Sequence, residues 1–108
     1  MFSKQFRLPA TTVLQNPKHI QTPYFSFKVG KNLLEHNRYG FVISKQVDKR
    51  ATVRNSIKRK IRSFFESQNT KITQGVDVLI IIKKAALDVE TKELWKVVED
   101  CLKESHLV

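Results

Sequence analysis

Three stretches decide the fold: Tyr39-Gly-Phe-Val-Ile-Ser44, Thr52-Val-Arg-Asn-Ser-Ile-Lys-Arg-Lys-Ile-Arg-Ser-Phe-Phe-Glu-Ser67, and Val76-Asp-Val-Leu-Ile-Ile-Ile82. The first, taken from Arg38, is rich in β-branched and aromatic residues and reads as a strand. The second changes period. Val53, Ile57, Ile61, Phe64 and Phe65 fall within an arc of about 120° at roughly 100° per residue, which is one apolar stripe of a helix. The third is nearly continuous Val, Leu and Ile, which predicts a central strand covered on both faces. Strand, helix and strand in that order make a crossover unit.

Upstream, Tyr24 to Val29 alternates with aromatic residues and predicts another strand closed by Gly30. Phe25, Phe27, Phe41 and Ile43 share one parity and should line a buried sheet face. The opposite parity presents Tyr24, Ser26, Lys28, Val42 and Ser44, a wetter face that could meet a ligand. Pro9 suits a first helical turn, so Ala10 to Gln15 predicts a short helix ended by Asn16-Pro17. Downstream, Asp88 is placed to cap a last helix whose apolar face is Leu94, Trp95, Val98, Cys101 and Leu102. These elements predict a single α+β domain over 1–108, a two-layer sandwich with the crossover unit beside an antiparallel hairpin. A chain of 108 residues buries roughly two-thirds of its unfolded surface, enough for a core without disulfides or metal.

The net charge is +10, unevenly spread. Lys45, Lys49, Arg50, Arg54, Lys58, Arg59, Lys60 and Arg62 face only Asp48 within residues 45–62, whereas residues 88–108 are acidic. Such crowding repels itself, and a polyanion is the natural way to offset it. Nucleic acid is favoured over an anionic membrane surface, because the same segment carries core-type apolar residues. On the helical wheel Arg54, Lys58 and Arg62 form a ridge, with Asn55 and Arg59 beside it. Rigid arginines bind phosphate bidentately at small entropic cost. Asn55 can equally serve an RNA contact or a helix-start hydrogen bond. As a bare pattern, a basic helix also occurs in DNA binders.

Protein-borne catalysis is disfavoured. His19, His36 and His106 fall in predicted loops or near the terminus without metal-ligand spacing. Asp48 is as well suited to a turn or an ion pair as to general base work. Cys101 and Trp95 have core spacing. The lone cysteine fits a reducing, cytoplasmic compartment. The longest apolar run, Val78 to Ile82, is far short of the roughly 20 residues of a membrane helix, and no apolar stretch follows Lys4 and Arg7 as a secretory signal requires.

Residues 39–66 resemble the signature region of the protein subunit of bacterial ribonuclease P. The residues are Ser44-Lys45, Lys49-Arg50-Ala51, Arg54-Asn55-Ser56-Ile57-Lys58-Arg59-Lys60-Ile61-Arg62 and Phe64-Phe65. Asp77 to Ala86 is similar to that family's next strand, and Leu87 to Leu102 to its final helix. The resemblance implies an αβββαβα order, like the second domain of ribosomal protein S5, with a left-handed βαβ crossover against the usual rule. It implies a holoenzyme in which the RNA subunit, with Mg²⁺, removes the 5′ leader of precursor tRNA. The protein alone would neither cleave nor hold a cofactor, and one protein would serve each catalytic RNA. Lys45, Arg50, Arg54, Asn55, Lys58, Arg59 and Arg62 become the RNA-contact candidates. Tyr24, Ser26 and Lys28 are placed on a leader-binding cleft. The chain departs from the family in lacking aromatic residues between Leu8 and Asn16, in Ser56, and in the absence of proline from Lys84-Ala85-Ala86. A ribosomal-type RNA-binding protein with the same sandwich is the alternative. A protein-only nuclease is disfavoured by the lack of clustered carboxylates.

Overall fold

The computed structural model describes residues 6–9 and 13–108. Among them the elements run β1 (Gln15–Gln21), β2 (Phe25–Lys31), β3 (Arg38–Val42), α1 (Ala51–Gln68), β4 (Val76–Ile82) and α2 (Thr91–Glu104). Short 3-10 turns cover Asn69–Lys71 and Lys84–Asp88. The sheet order is β1-β2-β4-β3, with β2 antiparallel to β1 and β4, and β3 parallel to β4. The antiparallel hairpin is therefore β1–β2, and β4 lies between the two strands flanking it. A mixed α+β fold is what the apolar periods demand.

The core fills one side of the sheet. Phe25, Phe27 and Val29 of β2, and Val76, Val78, Ile80 and Ile82 of β4, meet Ile57, Ile61, Phe64 and Phe65 of α1. Leu94, Val98, Cys101 and Leu102 of α2 close it. Phe65 is the hub: its ring lies 4.7 Å from Tyr39, 5.5 Å from Phe64 and 5.8 Å from Phe41, between centroids. Phe41 is only half-buried, at the rim of the core. Burial pushes the Cys101 thiol up to about 11, which leaves it an inert small hydrophobe.

The other sheet face carries no helix of the described residues. Register builds cross-strand rows there: Gln21, Ser26, Ile81 and Val42, then His19, Lys28, Leu79 and Gly40. Leu79 and Ile81 stay partly exposed, so β4 is central but is fully covered on one face only. Arg7 bridges to Tyr39 in parallel, and the Leu8 N–H donates to the Tyr39 carbonyl at 2.9 Å. This seats Leu8 over β3. A Cβ on Gly40 would come within 3.2 Å of the Leu8 side chain and 3.1 Å of Leu79, so those leucine ends would have to give by a few tenths of an ångström to admit one.

Besides the coverage of β4, two further expected features are corrected. The helix expected to end at Asn16-Pro17 is absent from the described part of that stretch: residues 13 and 14 are irregular, and residues 10–12 lie outside the described residues. Instead β1 begins at Gln15 and takes in Asn16, Pro17 and His19. It is an edge strand with a register shift between Gln15 and Lys18, and there Pro17, lacking an N–H, is tolerated. Asn16 supplies the left-handed backbone, at φ 43°. The second correction concerns Asp88, which ends a 3-10 turn; α2 starts behind Glu90 with no side-chain cap.

Two buried polar groups pin β3 and β4. Asp77 accepts from Arg38 Nε at 2.9 Å and Nη2 at 2.7 Å, and from Asn32 Nδ2 at 2.9 Å. Its side chain is 4% exposed and that of Arg38 is 22%. Asp77→Ala strands both donors and is expected to cost about 3 kcal/mol, at the low end for a broken buried pair because Arg38 keeps some water. Urea unfolding checks this; a loss below about 1 kcal/mol would assign the pair no more than surface value.

Asn37 is fully buried, accepting from the Val76 N–H at 2.9 Å and donating to the Tyr39 hydroxyl at 3.0 Å. The hydroxyl donates onward to Asn69 Oδ1. Burial pushes the Tyr39 phenol up to about 12, against a smaller downward pull from Asn37. A raised phenol favours the neutral form in the fold. Its contribution is therefore complete below pH 10 and lost as pH rises towards 12, and a shift of that size carries about 2–3 kcal/mol. Unfolding midpoints measured across that window should fall in the parent chain, and this component should be missing in Tyr39→Phe.

Candidate nucleic-acid interface

The turn that leads into α1 is fixed by its own charges. Asp48 accepts from the Arg50 backbone N–H at 2.8 Å, and from Arg50 Nε at 3.1 Å and Nη2 at 2.9 Å. Those bonds hold the Asp48 carboxyl down at about 2. Arg54 Nη1 donates to the carbonyls of Asp48 at 2.9 Å and Lys49 at 2.8 Å. Asp48 is thus a turn and ion-pair residue, ill suited to accept a proton at neutral pH. Arg54 spends one end of its guanidinium on the turn.

From this anchor α1 runs outward. Its apolar stripe faces the sheet, so Arg54, Lys58 and Arg62 come in file along about 12 Å of one flank. Lys45, Arg50, Asn55 and Arg59 are exposed; Arg54, Lys58 and Arg62 are half-buried at their stems. The Asn55 side chain makes no hydrogen bond within the described residues, while Arg50 holds the N-cap position, so helix-start bonding does not account for that side chain. The first turn of α1 holds no acidic residue, and no side chain caps it. Cations therefore crowd the positive end of a helix dipole, which an external anion would relieve. Among the described residues, Lys58, Arg59 and Arg62 have no carboxylate partner; the acids of α2 do not neutralise them.

Lys58 and Arg62 also line a cleft of about 380 Å³, with Phe6, Arg7 and Leu8 on its far wall and the edge of β3 as floor. The Arg62 guanidinium stands 5.7 Å from the Phe41 ring centroid, which fixes its direction. Arg7 was not foreseen as a site residue, because it lies in an N-terminal stretch without apolar period.

Ser26 and Lys28 lie apart from this row, on the open sheet face. Ser26 Oγ donates to Gln21 Oε1 at 2.8 Å, and Lys83 Nζ donates to the same oxygen at 3.0 Å and to the Thr22 carbonyl at 2.8 Å. Lys83 joins that face unforeseen, brought by the end of β4. Tyr24 sits in the bend before β2 and packs against the core. In sum, a rigid comb of cations flanks one sheet edge, and a mixed polar and apolar face lies open beside it.

Comparison with known proteins is consistent across sequence and structure. Residues 4–106 match the model of the family described as Ribonuclease P. The chain is 28% identical to the ribonuclease P protein component of Synechocystis sp., over 94% of this chain and 90% of that one. It is 33% identical to the Thermotoga petrophila component, over 84% and 78%. It is 31% identical to that of Histophilus somni, over 91% and 85%. A Staphylococcus aureus RNase P protein mutant superposes with a TM-score of 0.77 at 28% identity, covering 86% of this chain and 78% of that one. The Thermotoga maritima protein gives 0.74 at 27%, covering 82% and 84%. Fold, signature helix and near full-length matches agree, and the chain belongs to the ribonuclease P protein family.

Proposed function

We propose that this protein, as the protein subunit of ribonuclease P, docks on the catalytic RNA through the turn at Lys45 to Arg50 and the flank of α1. Lys45, Arg50, Arg54, Asn55, Lys58, Arg59 and Arg62 meet the sugar-phosphate backbone, and the open sheet face around Ser26, Lys28 and Tyr24 takes the single-stranded 5′ leader of precursor tRNA. The observation that carries this is the group of Lys58, Arg59 and Arg62, mounted on one helix and without carboxylate partners among the described residues. A fixed row suits a folded RNA, whose recognition depends on shape and phosphate position.

In this reading the phosphodiester is hydrolysed by the RNA subunit with Mg²⁺. Two carboxylates nearest the turn and β3 are already committed, Asp48 to Arg50 and Asp77 to Arg38 and Asn32, and the described residues hold no group of three or more potential metal ligands. The protein's part is to bind, to screen phosphate repulsion between the two RNAs, and to hold the leader. The test is cleavage of a precursor tRNA by a cognate catalytic RNA across a Mg²⁺ series, with and without one equivalent of protein. The protein should lower the Mg²⁺ needed for cleavage. Binding without that shift would favour a ribosomal-type structural role, and hydrolysis by RNA-free protein would overturn the division of labour.

A further inference from the structure

A second groove lies on the opposite side of the molecule from the open sheet face, between the C-terminal half of α1 and α2. It holds about 670 Å³, floored by Phe64 and Trp95 and rimmed by Lys71, Lys92, Lys96 and Lys103. The lysines at 92, 96 and 103 keep one helical file over about 16 Å. The acids of α2 largely fall elsewhere: of these, only Glu99 lines the groove, 3.5 Å from Lys103. A segment with net negative charge thus turns a basic face to this groove.

Trp95 is held as a platform. Its Nε1–H donates to the Lys60 carbonyl at 2.8 Å, and its ring meets Phe64 edge to face at 5.7 Å. With its one donor used, the partly exposed ring offers aromatic surface to the groove and no base-edge selectivity. An aromatic platform beside a file of ammonium groups is the arrangement that single-stranded nucleic acid binds without sequence preference. An acidic peptide would use the lysines but not the platform.

We infer that the groove between α1 and α2 is a third RNA-binding site, beyond the α1 flank and the open sheet face, taking a single-stranded segment with one base stacked on Trp95 and its phosphates on Lys92, Lys96 and Lys71. It is separate from both of those surfaces, so the protein can hold a further RNA segment beside them. Trp95 is the sole tryptophan and reports on its own site.

The test titrates the full chain with an oligoadenylate of about 12 nucleotides while following tryptophan emission. Emission should be quenched saturably. Lys92→Ala with Lys96→Ala, both exposed positions, should weaken the quenching titration and reduce its log–log salt slope by about 1.4. Arg59→Glu should leave the quenching in place. In a background carrying Arg59→Glu and Lys28→Ala, which weakens both other proposed RNA surfaces, Trp95→Leu should weaken anisotropy-detected binding of a labelled oligonucleotide by about tenfold. Oligonucleotide binding that leaves emission unchanged would overturn the site. So would quenching that Arg59→Glu abolishes while the lysine pair leaves it intact. A protein-concentration-dependent emission change without RNA would give the groove to a second copy of this chain instead.

Discussion

Replacing Lys58, Arg59 and Arg62 together by alanine is expected to lower affinity for the catalytic RNA about a hundredfold, at roughly 1 kcal/mol net per lost phosphate contact. The log–log salt slope should become shallower by about 2–3, since each contact contributes roughly 0.7–0.9. Stability should change by less than about 1 kcal/mol, because small terms oppose one another. Arg62 loses its position over Phe41, while relief of like-charge crowding and alanine's helix preference act the other way. Arg54→Ala is different in kind. Its guanidinium holds the Asp48 and Lys49 carbonyls, so its loss should lower both melting temperature and affinity. Arg59→Ala should lower affinity alone. Salt-titrated binding together with thermal melts separates the three. An unchanged slope in the triple variant would remove α1 from the interface.

How far these features were legible depends on how loudly each burial pattern speaks. The helix read over 52–67 is α1 at Ala51–Gln68, and four of its five stripe residues are buried; Val53, in the first turn, lies beyond the edge of the sheet-facing core. The strand read at 76–82 has those bounds in the structure, because seven consecutive near-apolar residues fit little else. By contrast β1 was invisible. Gln-Asn-Pro-Lys-His-Ile-Gln offers Ile20 alone to the core, and its strand is made by the backbone ladder to β2, which no side-chain period records. The basic comb was legible because charge and apolar period interleave on one helix. That Arg54 and Arg50 serve the turn was not, since the Asp48 clamp depends on where the chain bends before α1. Trp95 looked like core by spacing. Only the crossing of α1 and α2 leaves part of its ring at a groove.

The cations are positioned by the greasy side of their helix, and Phe65 is where that dependence is greatest. It is fully buried and touches three other rings, one of them Tyr39 on β3. Phe65→Ala is expected to cost about 4 kcal/mol, combining lost transfer energy with a cavity that Tyr39 and Phe41 cannot both collapse into. For a domain of this size that is a large share of a total stability of about 5–15 kcal/mol, and urea unfolding should show it directly. Phe65→Leu, which keeps most of the volume, should cost much less. The same variants test how binding is coupled to the fold. If the RNA binds only the folded chain, catalytic RNA at about 100 times its dissociation constant adds roughly 2.7 kcal/mol to the folded state. Phe65→Ala should therefore melt far below the free parent when free and, with the RNA present, recover most of its shortfall against that free parent. Were the RNA instead to bind Phe65→Ala fully without raising its melting temperature, its contacts would not require α1 to be seated on the sheet.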